Sequence, residues 1–256
     1  MSLKKTKIFL SDPQVLFREG IHFILSGEDD FEVTGEGISN EEVWNNIETN
    51  PPRIVILNIE DKKLGGLELV RRLKRRSPSI SAILTLEQRD DEQAFEILLS
   101  GGSAYLTKDI DPEHLQDTVR AVSQGVFPIM EELFSPAIAA RVLAEFEDVA
   151  ALNEGMDNLM AGLAPKEMQV LNSIAAGNSI EEVAARLNTD EESIRADMKL
   201  VLNKLVANDQ TRAVITTVQR SLPSMLDHSG RSKRYSEEYL TREEFTKFKD
   251  SLAKSL

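Results

Sequence analysis

The segment RIVILN, residues 53–58, constrains the fold of this chain more than any other feature. Four apolar residues follow one another without a polar interruption, and the run ends on Asn58. A short continuous apolar run predicts a strand that is buried on both faces, as in parallel sheets. Open α/β sheets build their sites at the carboxyl ends of such strands, so we expect Asn58 to lie in a site.

Strands and helices alternate along the first half of the chain. Short strands are predicted at 7–11, 31–36, 53–58, 81–86 and 103–107. Helical spacing of apolar residues occurs near 15–26, 40–48, 66–76, 90–100 and 111–124. Five βα units at this pitch predict an α/β doubly wound, flavodoxin-like domain with helices on both faces of one parallel sheet.

The predicted helix at 66–76 carries a basic cluster. Its apolar residues Leu67, Val70 and Leu73 fall on one face of the helix. The cluster falls on the other face and comprises Arg71, Arg72, Lys74, Arg75 and Arg76. We interpret it as a solvated face, which is the usual role of such a charge run.

Composition narrows the range of functions. The 256 residues, with 41% hydrophobic content, are enough to form two ordinary domain cores. A net charge of −13 argues against nucleic-acid binding by bulk electrostatics, so any DNA contact requires a local patch. Disulfides, thiol catalysis and cysteine-ligated metals are excluded because the chain has no cysteine, and its three scattered histidines do not suggest a metal site. No pair of a nucleophile and a base is visible, so we expect neither an enzyme nor a cofactor.

The sequence also bears on the location of the protein. No stretch approaches the length of apolar sequence that spans a bilayer. The N-terminus runs into the first predicted strand without a small-residue cleavage site. We therefore expect a cytoplasmic protein with no membrane partner.

Polar and aromatic residues accompany the predicted strands in a characteristic order. Asp12 comes after the first strand, Thr85 after the fourth, and Tyr105 and Lys108 with the fifth. In this order the first 125 residues resemble the receiver domain of bacterial response regulators. The resemblance implies that Asn58 stands where the family has the aspartate that accepts a phosphoryl group. An amide has no negative charge and is a very poor nucleophile, so we expect the usual phosphorylation to be absent.

The resemblance further implies a metal site that this sequence lacks. The family holds Mg²⁺ with two acidic residues after the first strand and with the acceptor aspartate. Here LSDPQVLFREG keeps Asp12 but has Pro13 in place of the second acid. Lys62 stands where the family often has a proline after the acceptor. One carboxylate holds Mg²⁺ poorly, so we expect a degenerate phosphoacceptor pocket without metal, in which Asp12 pairs with Lys108. Asn58 then either caps the following loop or keeps a signalling role through another ligand.

Residues 126–160 join the two halves of the chain. Ser135 has the features of an N-cap, and Pro136 those of a first helical residue. The helix that follows has an apolar face made of Ile138, Val142, Leu143 and Phe146. This face packs either within the chain or on the second subunit of a homodimer.

The segment from Leu163 to about Arg220 carries a second characteristic set of residues, which comprises Pro165, Glu167, Val170, Leu171, Gly177, the AARL of 184–187, Thr211 and Ala213. In these residues the segment resembles the LuxR-type helix-turn-helix domain. Apolar spacing independently predicts a short helix around Val183 and a second helix from about Ile194 to Leu205, joined by a tight polar turn. The two resemblances together suggest the NarL/FixJ-like response regulators, and they imply a DNA-binding transcription regulator of a two-component system.

In that family the second of these helices enters the major groove of DNA. The residues implied to contact DNA are Arg195, Ala196, Lys199 and Lys204. Two features speak against such binding. Residues 160–220 hold eight Asp or Glu against seven Lys or Arg, and Asp197 lies within the helix itself. The alternative function is a protein-interaction regulator or scaffold whose helix-turn-helix binds other regulatory proteins instead of DNA.

Four regions follow from these patterns. They are a receiver-like domain at 1–125, a linker at 126–160, a LuxR-type domain at 161–222 and a C-terminal extension at 223–256. In the extension, Thr241 and Glu244 form a capping box that opens a short amphipathic helix. We interpret the basic run RSKR, 231–234, as solvated rather than as an arm that binds DNA.

Overall fold

The computed structural model describes residues 5–38, 40–59, 65–153 and 160–226. Its first part contains five strands, which are β1 (Thr6–Ser11), β2 (Phe31–Gly37), β3 (Ile54–Asn58), β4 (Ser81–Leu86) and β5 (Ala104–Thr107). All the strand pairs are parallel, and the strand order is β2-β1-β3-β4-β5. The predicted α/β doubly wound, flavodoxin-like sheet is therefore confirmed.

Five helices cover the two faces of the sheet. They are α1 (Val15–Ser26), α2 (Asn40–Thr49), α3 (Gly66–Arg76), α4 (Asp91–Ser100) and α5 (Pro112–Ser123). Ile54 and Ile56 of β3 pack with α1 and α5, whereas Val55 and Leu57 pack with α2, α3 and α4. Both faces of β3 are thus buried, which explains its uninterrupted apolar run.

The second part of the chain is helical. It begins with a 3₁₀ helix, Pro128–Phe134, which we call the connecting segment. The helices α6 (Pro136–Asn153), α7 (Pro165–Ala175), α8 (Ile180–Arg186) and α9 (Glu191–Leu226) follow. The start of α6 at Pro136 is as predicted, and its apolar residues Ile138, Val142 and Phe146 are buried within the chain. Intrachain packing is thus the outcome for this face.

The helix-turn-helix forms the core that the sequence predicts. Val183 of α8 is fully buried, as are Ile194, Met198 and Val201 of α9. α9 continues as one helix of 36 residues to Leu226. The predicted capping box, the RSKR run and Lys62 lie outside the described residues.

The two parts share one apolar core. The cluster that fills the α2, α3 and α4 side of the sheet continues through α6 into α7, α8 and α9. Direct contacts between α4 and α9 reinforce this connection. Within the residues that the structure describes, no helix has the length and apolar content needed to cross a bilayer.

Candidate functional site

The carboxyl ends of β1, β3 and β4 bring three polar side chains together. Asp12 directly follows β1, Asn58 ends β3, and Thr85 is the register partner of Asn58 in β4. Their exposed fractions are only 4%, 2% and 1%. Buried polar groups cost free energy unless they are hydrogen-bonded, so their partners define what this pocket can do.

The Asp12 carboxylate is the centre of the pocket. Its Oδ2 accepts hydrogen bonds from Asn58 Nδ2 at 3.1 Å and from the Thr85 hydroxyl at 3.3 Å. Its Oδ1 accepts a hydrogen bond from the backbone N–H of Gln14 at 2.8 Å. Asn58 is therefore a hydrogen-bond donor to Asp12. An aspartate at position 58 would instead share a bound cation with Asp12.

Lys108 closes the pocket at the end of β5. Its Nζ lies 3.4 Å from Asp12 Oδ2, which confirms the predicted ion pair, and 2.9 Å from Glu87 Oε1. The hydrogen bond from Lys108 holds the pKa of the Glu87 carboxyl below its usual value. Gln14 Nε2 also donates to Glu87, at 2.8 Å. The ammonium of Lys108 thus lies between two carboxylates, and sequence reasoning missed the second of them.

This set of side chains does not fit Mg²⁺, which needs several oxygen ligands in near-octahedral geometry. Pro13 brings no side-chain oxygen, and Asn58 turns an N–H group towards Asp12. Among the described residues, no group of three His, Cys, Asp or Glu is placed to hold a metal ion. Lys108 supplies Asp12 with the positive charge that a metal would bring.

Replacing Lys108 with Met is expected to lower the free energy of unfolding by roughly 1.5 to 3 kcal/mol, because the buried Asp12 loses its charged partner. Chemical denaturation of the full chain measures this effect. Lys199→Met is the matched control, since Lys199 is exposed, and it is expected to change stability by less than about 0.5 kcal/mol. Equal stability of the two variants would show that the ion pair does not hold the pocket.

The Tyr105 hydroxyl is engaged by the connecting segment. It donates to Glu132 Oε1 at 2.7 Å and accepts a hydrogen bond from Arg89 Nε at 2.9 Å. Arg89 also pairs with Glu132, at 2.8 Å. Burial and the hydrogen bond to Glu132 raise the pKa of Tyr105 to about 12. The phenol therefore stays a neutral donor at neutral pH, and it ties β5 to the segment that leads to the helical part.

The connecting segment also contacts α9. Glu131 forms an ion pair with Arg195, whose guanidinium lies 5.1 Å from the centre of the Phe134 ring. The connecting segment therefore contacts Tyr105 in the receiver-like part and Arg195 in α9. None of these contacts is signalled by the sequence pattern, because the partners are far apart along the chain.

The exposed side of α9 carries three of the residues implied for DNA contact, and Arg195 is one of them. Ala196 and Lys199 are both exposed, and Leu200 beside them is 53% exposed. The turn before α9 is fixed by Asp190, which accepts a hydrogen bond from the backbone N–H of Ser193 at 2.7 Å. A stable helix start of this kind holds the exposed side in a defined orientation.

Lys204 is placed differently from the other three. Its Nζ lies 2.7 Å from a carboxylate oxygen of Glu167, whose side chain is only 5% exposed. Glu167 in turn accepts a hydrogen bond from the backbone N–H of Ala164 at the start of α7. The charge of Lys204 therefore stabilises the domain core, and its contact with a phosphate stays a prediction.

Asp197 has a partner that sequence reasoning missed. Lys166 at the start of α7 lies 2.8 Å from Asp197 Oδ2, and the Asp197 side chain is only 18% exposed. The acidic charge inside α9 is therefore compensated within the domain.

The interpretation of the α3 basic cluster as a solvated face is wrong for Lys74, whose Nζ donates to the Ile80 carbonyl at 3.0 Å, and for Arg71. Its side chain is 18% exposed and pairs with Asp209 of α9 at 2.8 Å and with Glu96 of α4 at 3.1 Å. Arg72 lies over the Trp44 ring, 4.2 Å from its centre. Arg71 is thus a polar contact between the receiver-like part and the helix-turn-helix.

Comparison with known proteins agrees with this division of the chain. Residues 8–120 match the family model described as response regulator receiver domain, and residues 161–217 match the model for bacterial regulatory proteins of the luxR family. The two matched segments coincide with the sheet domain and with the helix-turn-helix. The chain thus contains a receiver domain followed by a LuxR-type domain.

Known proteins match this chain over most of their own length. The uncharacterized transcriptional regulatory protein YhcZ of Bacillus subtilis (strain 168) is 28% identical over 216 residues, 84% of this chain and 97% of that protein. The response regulator protein VraR of Staphylococcus aureus (strain N315) is 26% identical over 84% of this chain and 98% of that protein. A crystal form of the Salmonella typhimurium RcsB response regulator, studied for its conformational dynamism for DNA interaction, matches 80% of this chain and 93% of that chain, at 23% identity and a TM-score of 0.44.

Proposed function

We propose that this protein, a DNA-binding transcription regulator of the response-regulator type, works without phosphorylation of its receiver domain. One observation carries the proposal: Asn58, at the phosphoacceptor position, donates its amide N–H to Asp12. Aspartyl phosphorylation needs a carboxylate nucleophile at that place and a metal ion that neutralises the transferred charge. The pocket instead contains a neutral amide and an ammonium group bound to two carboxylates.

The closed pocket supports a constitutive arrangement of the receiver domain. Each oxygen of Asp12 already accepts hydrogen bonds from groups of the same domain. A ligand entering the pocket would have to break these bonds between buried groups, and leaving such groups unpaired costs free energy. We therefore assign Asn58 a structural role at Asp12, and we expect signals to reach the protein through other surfaces.

Readout of DNA is proposed for the exposed side of α9. Lys199 and Ala196 are free to approach a groove, and Arg195 is held by an exposed pair with Glu131 and by a contact with the Phe134 ring. Exposed ion pairs contribute roughly 0 to 1 kcal/mol, whereas a bidentate contact between arginine and guanine contributes about 1 to 3 kcal/mol. We therefore expect DNA to compete with Glu131 for Arg195.

Protein binding in place of DNA binding is the less favoured function. The features that favour protein binding are the acidic charge of Asp197 and the lack of an excess of basic residues in the domain. Because Lys166 pairs with Asp197, that charge does not stand alone near the phosphates. A genomic pull-down with the purified full chain, followed by gel shifts at two salt concentrations, tests the choice between the two functions.

Neutralising Glu131 is expected to strengthen DNA binding. Glu131→Gln removes the pair that holds Arg195 and one negative charge near the DNA, so the dissociation constant falls roughly 2- to 5-fold. Gel shifts on a DNA fragment recovered by the pull-down measure this change. Glu113→Gln in α5 removes the same charge from an exposed residue that does not pair with Arg195, and it is the control. Equal strengthening by both variants would assign the effect to net charge alone.

This role requires the protein to work in the cytoplasm, together with the DNA. Homodimerisation and binding of other regulatory proteins stay predictions. Helix-turn-helix dimers recognise two-fold symmetric DNA sites. A palindromic sequence in the recovered DNA would therefore favour a homodimer.

A further inference from the structure

A second cavity lies at the opposite edge of the receiver sheet from Asp12. Its volume is about 640 Å³, and its walls come from residues at the amino ends of β1, β3 and β4 and from the last residues of α3 and α5. The amino ends of parallel strands meet at one edge of a sheet, so these segments converge by topology. The proposed function makes no use of this edge.

The lining of the cavity is strongly biased in charge. Among the described residues that line it, four are cationic and none is acidic, and the cations are Lys5, Lys7, Arg53 and Arg76. Asp and Glu account for 43 of the 256 residues, so a lining of twelve residues would on average hold about two acids. Four hydroxyl side chains complete the polar wall, namely Thr6, Ser77, Ser79 and Ser123.

Neutral groups, rather than carboxylates, hold the cations of the cavity. Lys7 Nζ donates to Asn50 Oδ1 at 2.9 Å, and Arg53 Nη1 donates to the Ser79 carbonyl at 3.0 Å. In the part of the chain that the structure describes, none of the four cations forms an ion pair. Burial and the charge of Arg53 lower the pKa of nearby Lys74, which agrees with a positive potential here.

The negative carboxyl ends of nearby helices offset only part of the positive charge of the cavity. The carboxyl ends of α2, α3 and α5 lie at the same edge, and each carries roughly half a negative charge from its unpaired carbonyls. Three helices thus provide about −1.5 charges, against four positive side chains. A substantial positive excess is left for a ligand.

We propose that this cavity binds a small molecule that carries two or more phosphate groups. Its volume lies within the range of about 300 to 1,000 Å³ that is usual for small-molecule sites. Guanidinium groups and hydroxyls match phosphate oxygens in geometry, and the ammonium groups add charge. Proline residues at 51, 52 and 78 stiffen the walls, so little entropy is lost when the ligand binds. The site belongs to the receiver domain and does not depend on DNA binding.

Isothermal titration of the full chain with inorganic pyrophosphate tests this proposal. Wild-type protein is expected to bind saturably, with one ligand per chain. The double variant Arg53→Gln and Arg76→Gln is expected to bind roughly 10-fold more weakly or worse, because charge-assisted hydrogen bonds are lost. Both side chains are exposed, so circular dichroism is expected to show an unchanged fold.

Arg75→Gln is the matched control, since Arg75 neighbours Arg76 but pairs with Glu68 outside the cavity. Its affinity for pyrophosphate is expected to equal that of the wild type. A second titration with ADP shows whether a nucleoside adds affinity to the diphosphate, and the double variant is expected to weaken that binding too. Absence of saturable binding of either compound, or equal weakening by Arg75→Gln, would overturn the proposal.

Discussion

Incubation with acetyl phosphate and Mg²⁺ leaves the intact mass of the protein unchanged. The amide of Asn58 is not a nucleophile for phosphoryl transfer, and its N–H is bound to Asp12. Pro13 withholds the second carboxylate that the metal requires. Intact-mass spectrometry after incubation measures the outcome. Stoichiometric addition of one phosphoryl group to the wild-type chain would contradict the closed pocket.

Restoring the acceptor alone is not enough. In Asn58→Asp a second carboxylate stands about where the amide now lies 3.1 Å from Asp12. Two neighbouring buried carboxylates raise the pKa of one of them, and the metal still lacks a ligand at position 13. Weak or no phosphorylation is therefore expected. The double variant Asn58→Asp and Pro13→Asp supplies all three acids, and it is the positive control in which a mass increase is expected.

Specific DNA binding is expected to fall steeply when the exposed side of α9 is changed. Arg195→Ala and Lys199→Ala each remove a cation, and each is expected to weaken binding by about 1 to 3 kcal/mol if it contacts a base. Gel shifts on DNA recovered by the genomic pull-down measure these losses. Arg75→Ala on α3 is the control for the loss of one positive charge, and its binding is expected to stay near the wild-type value. Circular dichroism checks that each variant is folded.

The reverse change at Asp197 is expected to strengthen binding. Asp197→His removes a negative charge from α9 and releases Lys166, which becomes available to phosphates. Tighter binding with a steeper dependence on salt concentration is therefore expected, because more counterions leave the DNA. If wild type, Arg195→Ala and Asp197→His all bind DNA with the same weak affinity for any sequence, the helix-turn-helix serves a protein partner instead.

Local patterns carry most of what the sequence predicts correctly. The apolar run of β3 is buried on both faces, and the start of α6 at Pro136 follows from a fixed dihedral angle and a missing N–H. The strand-end position of Asn58 follows from the end of this apolar run, because open α/β sheets build their sites at the carboxyl ends of such strands. The other residues around Asp12 are predicted only by the resemblance to receiver domains, which does not indicate Glu87.

Contacts between distant segments were beyond the reach of these patterns. Arg71 and Asp209 are separated by 138 positions, and a charged residue on a helix looks solvated until its partner is known. The same holds for Tyr105 with Glu132 and for Asp197 with Lys166, whose pairing changes the meaning of the acidic residue. Charge pairing across a tertiary interface depends on which surfaces meet, and helical or strand periodicity does not encode that choice.

The most direct test of a phosphorylation-independent regulator compares DNA binding with and without a phosphodonor. Fluorescence anisotropy with the full chain and a labelled duplex from the genomic pull-down, with Mg²⁺ throughout and with or without acetyl phosphate, gives both dissociation constants. Sequence-specific, salt-dependent binding of equal affinity in the two conditions, lost in the Arg195→Ala and Lys199→Ala double variant, is the predicted result. Binding that tightens on addition of acetyl phosphate would contradict the account.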